Sequence, residues 1–511
     1  MGDSELRSIL SDIEQSVDGA GVGAFFDFDG TLISGYSATA FIKEQIMSGA
    51  VSPREFRDQF EAGVKFARGK AGFSSLLSAT AASMRGRAEY WFEEFGETVY
   101  RKEIAGSIYP ESRALVKAHI DKGHTVAVIS SATKYQVQPV ADDLGIRHVI
   151  CSRLEVKDGI FTGEIVRPTC FGEGKRTAAE KLAKKTGADL DESFFYTDSS
   201  DDLPLLDAVG RPRVLNPNRK LARIARERGW ETYRFTSRGR VSVPTLARTA
   251  LAYGALPAAF AAAAPVWALT GRKRDMINLA VGMWADYAAA IAGIRLHIDG
   301  EENLWKRRPA VFIFNHQSSV DALIIPKLLR RDFTGVGKKE IARFPIIGPL
   351  MQFAEVVLID RADGAGAIKA MRPVVDAIRR DGLSVSIAPE GTRSVSTKLG
   401  AFKKGAFHIA MQAGAPIVPI VIHNAADSQP KGRAVPRPAD IRVTVLPPID
   451  TLGWRAETVG DHVAYVRNLY LDALGQSEPE DDEELSLDHW DDPDEAADEK
   501  VVRPERMRAR S

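Results

Sequence analysis

Short apolar runs that end in loops alternate with helical patterns from residue 22 to about residue 243. Two of these runs, residues 125–129 and 193–196, have the length of buried strands. The alternation predicts a parallel α/β sheet. Residues 34–106 interrupt it with helical periodicity and few strand signals. We therefore expect a helical insertion that caps a site at the carboxyl edge of the sheet.

The hydropathy changes abruptly in the middle of the chain. Residues 249–270 carry no charge over nearly the length of one membrane span, and a second apolar run, residues 276–294, is broken by Asp286. These runs predict a hydrophobic helical hairpin over residues 244–294 that associates with a membrane. The alternative is a buried, alanine-rich helix pair in a soluble domain, because alanine and proline weaken the membrane signal.

A second α/β pattern follows the hairpin, and its strand-like runs are residues 311–314, 356–359 and 417–422. The chain is too long for a single core. We predict an N-terminal domain over residues 1–243 and a C-terminal domain over residues 295–475. Residues 476–511 are strongly acidic, then basic, with little apolar content, which is typical of a disordered tail.

Composition narrows the function classes. Lys plus Arg and Asp plus Glu both number 68, so the net charge indicates no affinity for nucleic acid. Two cysteines, Cys151 and Cys170, are too few for a disulfide framework and fit a reducing cytosol. The first twenty residues lack a basic region followed by an apolar run, so we expect no secretory signal.

The first candidate site begins at the end of an apolar strand, where Asp27 and Asp29 stand at alternate positions. Alternate positions on a strand share one face. One carboxylate can then act as a nucleophile while the other transfers protons beside a bound cation. The alternative is an acidic turn in which Gly30 supplies backbone freedom.

Further polar residues follow later strand-like runs in a consistent order. Ser130 offers a hydroxyl to a phosphate oxygen, and Lys175 offers a cation that can neutralise phosphate and carboxylate together. Asp198 and Asp202 add carboxylates of the kind that magnesium requires. Taken alone, Ser130 could instead be a helix cap, and Lys175 could be a solvent-exposed side chain.

Residues 21–235 resemble the haloacid dehalogenase superfamily, in its phosphoserine-phosphatase-like branch (subfamily IB). The resemblance implies a Rossmann-like fold in which Asp27 is the nucleophile and forms an aspartyl-phosphate. It implies Asp29 as the general acid and base, and Ser130 with Lys175 as phosphate-binding residues.

The resemblance also implies a magnesium ion on Asp27, the backbone carbonyl of Asp29, and Asp198, with Asp202 nearby. Phosphoserine phosphatases carry a glutamate for the substrate amine shortly after the first motif. Residues 35–37 of this chain are Gly-Tyr-Ser instead. The substrate is therefore expected to be a phosphomonoester other than phosphoserine.

The second candidate site follows the apolar run at residues 311–314, where His316 and Asp321 stand five positions apart. At a strand-to-helix junction the histidine can lie in the loop while the aspartate returns from the first helical turn, with Ser318 or Ser319 capping. The pair can then deprotonate a hydroxyl. The alternative is an ordinary capped helix with a surface histidine.

Two arginines follow further along this domain. Arg361 ends a strand-like run, and Arg393 stands beside the turn at Glu390 and Gly391. Two guanidinium groups suit a phosphate monoester, because each can donate paired hydrogen bonds. The alternative for each arginine alone is a surface ion pair.

The His316 to Asp321 block and the Pro-Glu-Gly-Thr-Arg-Ser block at residues 389–394 resemble the glycerolipid acyltransferases, specifically lysophosphatidic acid acyltransferases of the PlsC type. The resemblance implies that His316 activates a lysophospholipid hydroxyl, which attacks acyl-CoA or acyl carrier protein without a metal cofactor. It also implies a binding site for the glycerol phosphate, made by Arg361, Glu390, Gly391 and Arg393.

The sequence thus predicts a bifunctional enzyme of phospholipid biosynthesis at the cytoplasmic face of the cell membrane. Its acyltransferase would convert lysophosphatidic acid to phosphatidic acid, and its magnesium-dependent phosphatase would hydrolyse an unidentified phosphomonoester. Two alternatives remain open. The N-terminal domain could be a regulatory or scaffolding module with little turnover, or the acceptor could be another lysophospholipid or a glycolipid.

Overall fold

The computed structural model describes residues 3–49, 57, 61, 73–239, 241–343, 347–359 and 367–476. Arg361 and the predicted tail after Gln476 lie outside these residues. Residues Met1–Gln476 form one compact unit. Within it, two seven-stranded sheets order the described strands.

The first sheet has the strand order β4-β3-β2-β1-β5-β6-β7. Every pairing is parallel except that of β3 with β4. Its strands are β1 Val22–Phe26, β2 Thr125–Thr133, β3 His148–Lys157, β4 Ile160–Val166, β5 Asp189–Thr197, β6 Arg211–Leu215 and β7 Glu231–Tyr233.

Helices surround this sheet: α1 Asp3–Gln15, α2 Ser37–Ser48, α3 Phe73–Met84, α4 Glu89–Val99, α5 Pro110–Asp121, α6 Lys134–Leu144, α7 Glu173–Thr186, α8 Leu203–Leu206 and α9 Arg219–Arg228. Between α4 and α5 the chain forms a π-helical turn, Tyr100–Ile104, and a 3-10 turn, Ala105–Ser107.

Strand β1 lies in the middle of the sheet and all five of its residues are buried. The Phe26 ring stacks on Tyr196 of β5 at a centroid distance of 4.5 Å. Such apolar contacts on both faces are what a central parallel strand requires. Because parallel strands end at the same edge, the residues after β1, β2 and β5 meet there.

Helices α2, α3 and α4 lie within the predicted insertion. The antiparallel hairpin of β3 and β4 was not predicted. Its turn has positive φ at Asp158 and Gly159, 50° and 72°, the geometry of a tight hairpin turn. The amide of Gly86 donates to the carbonyl of Phe161 at 2.8 Å, which joins the hairpin to the insertion.

The second sheet has the strand order β11-β10-β12-β9-β13-β14-β8. Its pairings are parallel except that of β13 with β14. Its strands are β8 Ile294–Asp299, β9 Val311–Phe314, β10 Phe333–Lys338, β11 Val357–Ile359, β12 Ser384–Ile387, β13 Ile417–Ile422 and β14 Ala439–Val445.

The helices from the middle of the chain onwards are α10 Val243–Thr270, α11 Lys273–Ala292, α12 Asn303–Lys306, α13 Asp321–Leu329, α14 Ile347–Phe353, α15 Ala367–Arg379, α16 Gly405–Ala413, α17 Ala425–Ser428 and α18 Val459–Leu474. Asn315, directly after β9, donates to the Ile422 carbonyl at 2.8 Å and accepts from the Ile422 amide at 2.7 Å. The loop after β9 is thereby fixed to β13.

Helices α10 and α11 pack against each other as an antiparallel pair. The Trp284 indole donates to the Ala252 carbonyl at 3.0 Å. Asp286, the charge that breaks the second apolar run, forms ion pairs with Lys327 and Arg330 of α13 and its end. Among the described helices, only α10 is long and apolar enough to cross a membrane, with a mean hydropathy of 1.4. Length and composition alone suggest membrane association only weakly.

Candidate active sites

The Lys175 ammonium joins two carboxylates at the carboxyl edge of the first sheet. It donates to Asp27 Oδ1 at 2.7 Å and to Asp202 Oδ2 at 2.9 Å. The Thr197 hydroxyl donates to the same Asp202 oxygen at 2.6 Å. All four side chains are buried. A buried cation so placed holds Asp27 in one orientation and offsets part of its charge.

Asp29 binds the start of α2. Its carboxylate accepts from the Ser37 amide at 2.7 Å and from the Ser37 hydroxyl at 3.1 Å. Gln136 of α6 donates to that hydroxyl at 3.0 Å. Burial raises the pKa of Asp29 to about 7, although the Ser37 hydrogen bonds oppose the shift. A carboxyl with this pKa can hold or release a proton near neutral pH.

Asp198, at the end of β5, lies against the turn that carries the first motif. A Cβ at Gly30 would collide with the Asp198 carboxylate, and Gly30 has a φ of +78°. Both facts require glycine there. Asn216, after β6, donates to the Gly30 carbonyl at 2.9 Å and so holds the turn from the other side.

Burial is the main cause of the raised pKa values of these acids. Burial raises the pKa of Asp27 to about 6, and the Lys175 cation opposes the shift. Burial, with the charges of Asp27 and Asp202, raises the pKa of Asp198 to about 8. A cation bound beside these acids would stabilise their ionised forms.

Ser130 lies near the end of β2, next to β1, and is buried. Its hydroxyl oxygen accepts from the Ala132 amide at 3.1 Å. It therefore lies on the strand adjacent to the one that leads into Asp27, where a phosphate-binding hydroxyl was predicted.

The second site centres on His316, whose Nδ1 lies 2.6 Å from Asp321 Oδ2. The same carboxylate oxygen accepts from the amides of Gln317 and Ser318, both at 3.1 Å. Asp321 is buried and begins α13, whereas the His316 side chain is 27% exposed. Nε2 of the ring is then available to a substrate.

The prediction that Ser318 or Ser319 caps α13 is wrong. The residue before the helix is Val320, and it makes no capping hydrogen bond. Asp321 accepts the loop amides itself, and the Ser318 hydroxyl donates to the Gln429 carbonyl at 2.6 Å. The local sequence contains no sign of this distant acceptor.

Glu390 forms hydrogen bonds with two backbone segments of the site. Its carboxylate accepts from the His316 amide at 2.7 Å and from the Gly400 amide at 3.2 Å. Burial raises its pKa, and the two amides oppose the shift. Gly391 has a φ of +76°, which favours glycine at this turn. In this arrangement Glu390 fixes the loop that carries His316.

Arg393 is brought to the same edge by contacts on both sides. Its guanidinium donates to the Ser319 hydroxyl, and its carbonyl accepts from the Lys431 ammonium at 2.7 Å. The Ser394 amide donates to the His316 carbonyl at 2.8 Å. The structure thus brings His316 and Arg393 together, while Arg361 lies outside the described residues.

Four residues with a role in the two sites were missed by sequence reasoning. Ser37 lies in the Gly-Tyr-Ser segment, which was interpreted only for substrate specificity, and Asn216 directly follows strand β6. Gln429 and Lys431 lie in a loop with no motif, and only their contacts with Ser318 and Arg393 reveal them.

Comparison with known families agrees with this two-site architecture. Residues 24–207 match the haloacid dehalogenase-like hydrolase model, and residues 295–423 match the acyltransferase model. The chain therefore contains a haloacid dehalogenase-like hydrolase domain followed by an acyltransferase domain.

Curated relatives match one half of the chain each. A putative hydrolase of Mycobacterium leprae is 32% identical over 53% of this chain and 92% of its own length. The 1-acyl-sn-glycerol-3-phosphate acyltransferase of Limnanthes alba is 38% identical over 36% of this chain and 66% of its own length. The chain belongs to the haloacid dehalogenase-like hydrolases, with an acyltransferase domain fused after the hydrolase domain.

Among solved structures, the lysophosphatidic acid acyltransferase PlsC of Thermotoga maritima aligns with a TM-score of 0.39 and 20% identity. The alignment covers 47% of this chain and 99% of that protein.

Proposed function

We propose that the chain is a bifunctional lipid enzyme, in which the second site acylates lysophosphatidic acid and the first site hydrolyses a phosphomonoester. The observation that carries the proposal is the 2.6 Å hydrogen bond of His316 with buried Asp321, beside a tethered Arg393. A histidine oriented in this way is a general base, and an arginine beside it suits a phosphate-bearing acceptor.

In the acyltransferase, Asp321 holds the His316 ring with Nδ1 protonated. His316 Nε2 then removes the proton from the acceptor hydroxyl as that oxygen attacks the thioester carbonyl of acyl-CoA or acyl carrier protein. Arg393 binds the acceptor phosphate, with Arg361 as its predicted partner. Glu390 and Gly391 fix the turn that carries Arg393 and orient the amide of His316.

In the phosphatase, Asp27 attacks phosphorus while Asp29 donates a proton to the leaving oxygen. The resulting aspartyl-phosphate is hydrolysed by water, from which Asp29 removes a proton. Lys175 and Ser130 bind the phosphate oxygens. Ser37 keeps the Asp29 carboxyl in place, supported by its two hydrogen bonds.

Magnesium fits the donors of this site. The predicted set combines the Asp27 and Asp198 carboxylates with the Asp29 carbonyl, and the Asp29 side chain is already engaged by Ser37. Within the described residues, no group of three Asp, Glu, His or Cys side chains forms a metal site. The proposed set needs only two. A bound magnesium ion would neutralise charge on the phosphate and on these carboxylates.

The domain boundaries proposed for these activities are residues 1–243 and 295–475, with the helix pair of 244–294 between them. We propose that this pair attaches the enzyme to the cytoplasmic face of the cell membrane. Exposed apolar side chains on α10 support the attachment, notably Leu251 and Leu269, which are 63% and 85% exposed.

Mass spectrometry of lipid products tests the proposal. Purified full-length enzyme receives lysophosphatidic acid, acyl-CoA and magnesium, and p-nitrophenyl phosphate reports the phosphatase separately. We expect Asp27→Asn to abolish phosphatase turnover and leave acyl transfer, and His316→Ala to do the reverse. The exposed neighbour variant Asp201→Asn is the control for the first site. Full phosphatase turnover in Asp27→Asn would refute the nucleophile assignment.

The same experiment decides between bifunctionality and a regulatory N-terminal domain. A wild-type enzyme that acylates lysophosphatidic acid but hydrolyses no phosphomonoester with magnesium would assign the first domain to regulation. Parallel reactions with other lysophospholipids and glycolipids identify the acceptor.

A further inference from the structure

A cavity of about 610 Å³ is lined by residues from both halves of the chain. The hydrolase half, residues 1–243, contributes the segments around Ser34 and Ser107 together with Arg238. The acyltransferase half contributes the loop that contains Arg433 and Arg437. Neither set of proposed catalytic residues lines this space, so it is distinct from both sites.

One wall of the cavity continues into the phosphatase site. Ser34 stands between Ile33 and Gly35, whose carbonyls both accept from the amide of Gly30, at 2.9 and 3.1 Å. Gly30 follows Asp29 and packs against Asp198. The Ser34 wall is therefore the outer surface of the turn that carries the proposed acid and base.

The opposite wall continues into the acyltransferase site. The loop begins at Gln429, whose carbonyl accepts from Ser318, and it continues through Lys431, which donates to the carbonyl of Arg393. Gly432 and Arg433 of the same loop line the cavity. One short loop thus separates the cavity from the proposed acceptor-binding arginine.

The charged residues that line the cavity favour an anionic ligand. None of the described residues that line it is acidic, whereas three are arginines. Arg238 donates to the carbonyls of Ile108, Ala426 and Asp427. Burial lowers its pKa to about 10 despite nearby Asp427 and Glu111. Carbonyls do not neutralise a guanidinium, so an anionic ligand would be stabilised here.

We propose that this cavity binds the phosphate headgroup of the acyltransferase product, and that this product is a substrate of the phosphatase site. The inference rests on the proposed function of the two sites. Acyl transfer forms an ester at the free hydroxyl and leaves the phosphomonoester intact. That phosphomonoester is the chemical class that an aspartate-nucleophile phosphatase cleaves.

Hydrolysis of this product requires no reactant other than water. Asp27 attacks phosphorus, the bond from phosphorus to the glycerol oxygen breaks, and Asp29 protonates that oxygen. Water then releases inorganic phosphate from Asp27. The products are diacylglycerol and phosphate. The loop that contains Arg433 holds the anionic headgroup of phosphatidic acid after acyl transfer and before hydrolysis.

Isotope dilution with the full-length enzyme tests this transfer. The enzyme receives lysophosphatidic acid, radiolabelled acyl-CoA and magnesium in mixed micelles that contain excess unlabelled phosphatidic acid. We expect early labelled diacylglycerol to have a specific radioactivity several-fold above that of bulk phosphatidic acid. Arg433→Glu should bring the two values together, whereas Arg455→Glu, an exposed site outside the cavity, should not. Each variant's own acyl-transfer and p-nitrophenyl phosphate rates normalise the result.

Each outcome decides a separate point. Hydrolysis of p-nitrophenyl phosphate without hydrolysis of phosphatidic acid would overturn the inference and leave the proposed phosphatase intact. Hydrolysis of neither compound would overturn both. If the ratio of the specific radioactivity of diacylglycerol to that of phosphatidic acid were equal in wild type and Arg433→Glu, the cavity would have no role in the transfer. Arg433-dependent hydrolysis of glycerol 3-phosphate, with none of phosphatidic acid, would assign the cavity to a soluble phosphomonoester and refute lipid transfer.

Discussion

The carboxylate of Asp143, in the hydrolase half, accepts hydrogen bonds from the amide and the hydroxyl of Thr397, in the acyltransferase half, at 2.9 and 3.1 Å. Arg113 donates to the same Asp143 carboxylate and to the Thr397 hydroxyl, both at 3.0 Å. Thr397 follows Ser394, which binds the backbone of His316. The hydrolase half therefore supports the loop that carries Arg393.

Asp143→Ala should raise the acceptor KM of acyl transfer several-fold, because the loop that carries Arg393 loses the two hydrogen bonds that Thr397 donates to Asp143. The lost charge-assisted hydrogen bonds correspond to about 2 kcal/mol of stability. Steady-state kinetics and thermal unfolding measure both effects. Asp142→Ala is the matched control, since its carboxylate accepts only from Gln138 of its own helix in the described contacts. If the effects of Asp143→Ala and Thr397→Val on the acceptor KM were additive in the double variant, the two residues would not be energetically coupled, and the predicted support of the loop would be wrong.

His316→Ala should lower kcat of acyl transfer by about a hundredfold or more, because the general base is lost. Acceptor KM should change little. His297→Ala is a suitable control, since His297 also pairs with an aspartate, Asp440, at 3.2 Å, but on the exposed strand β8. Retention of wild-type kcat by His316→Ala would exclude the general-base role.

Arg393→Ala should chiefly raise the acceptor KM, because the phosphate is charged before the reaction begins. Lysine at this position should rescue only partly, since it cannot form the paired guanidinium hydrogen bonds. Acceptors without phosphate should respond much less, and Arg442→Ala serves as an exposed control. A loss of kcat that is equal for both acceptor types would instead indicate that Arg393 holds the backbone.

Magnesium binding should release protons, and more at about pH 6.5 than at about pH 9. The metal-free pKa of Asp198 is about 8 and that of Asp27 about 6. Protonated carboxyls at the lower pH must therefore ionise to bind the cation, whereas at the higher pH they are already ionised. Calorimetry in buffers of different ionisation enthalpy measures the release. Equal proton release at both pH values would contradict this, and Asp198→Asn should abolish most of it.

Replacing Leu251 and Leu269 of α10 with glutamine should weaken flotation with liposomes and leave both enzyme activities in place on detergent-dispersed substrates. The two leucines are 63% and 85% exposed, so the fold does not depend on their burial. Leu452→Gln, at a position 72% exposed outside the helix pair, controls for a general loss of apolar surface. Unchanged flotation of the double variant would favour the soluble helix pair.

Local patterns were sufficient for much of this architecture. Strands β9 and β13 coincide with the predicted apolar runs, and the His316 and Asp321 pair forms within one strand-to-helix junction. These features depend on residues close in sequence, where periodicity and spacing carry information.

Other features depend on distant residues and left no local signal. Asp143 and Thr397 are 254 positions apart, and Lys431 lies 38 positions after Arg393. Nothing in either segment alone predicts its partner. The β3 and β4 hairpin is a different case, because Asp158 and Gly159 are a recognisable turn pair between apolar runs. This turn pair is a local signal for the hairpin.

The joint between the two halves has a consequence for how the protein can change over evolution. Arg437 donates to the carbonyls of Thr236 and Gly239, and Arg238 likewise donates to main-chain oxygens. Every amino acid supplies a carbonyl, so the accepting positions can drift in identity without breaking the joint. At these contacts the identity of the two arginines is constrained, and homologous fusions could preserve these hydrogen bonds with little similarity in the loops that accept them.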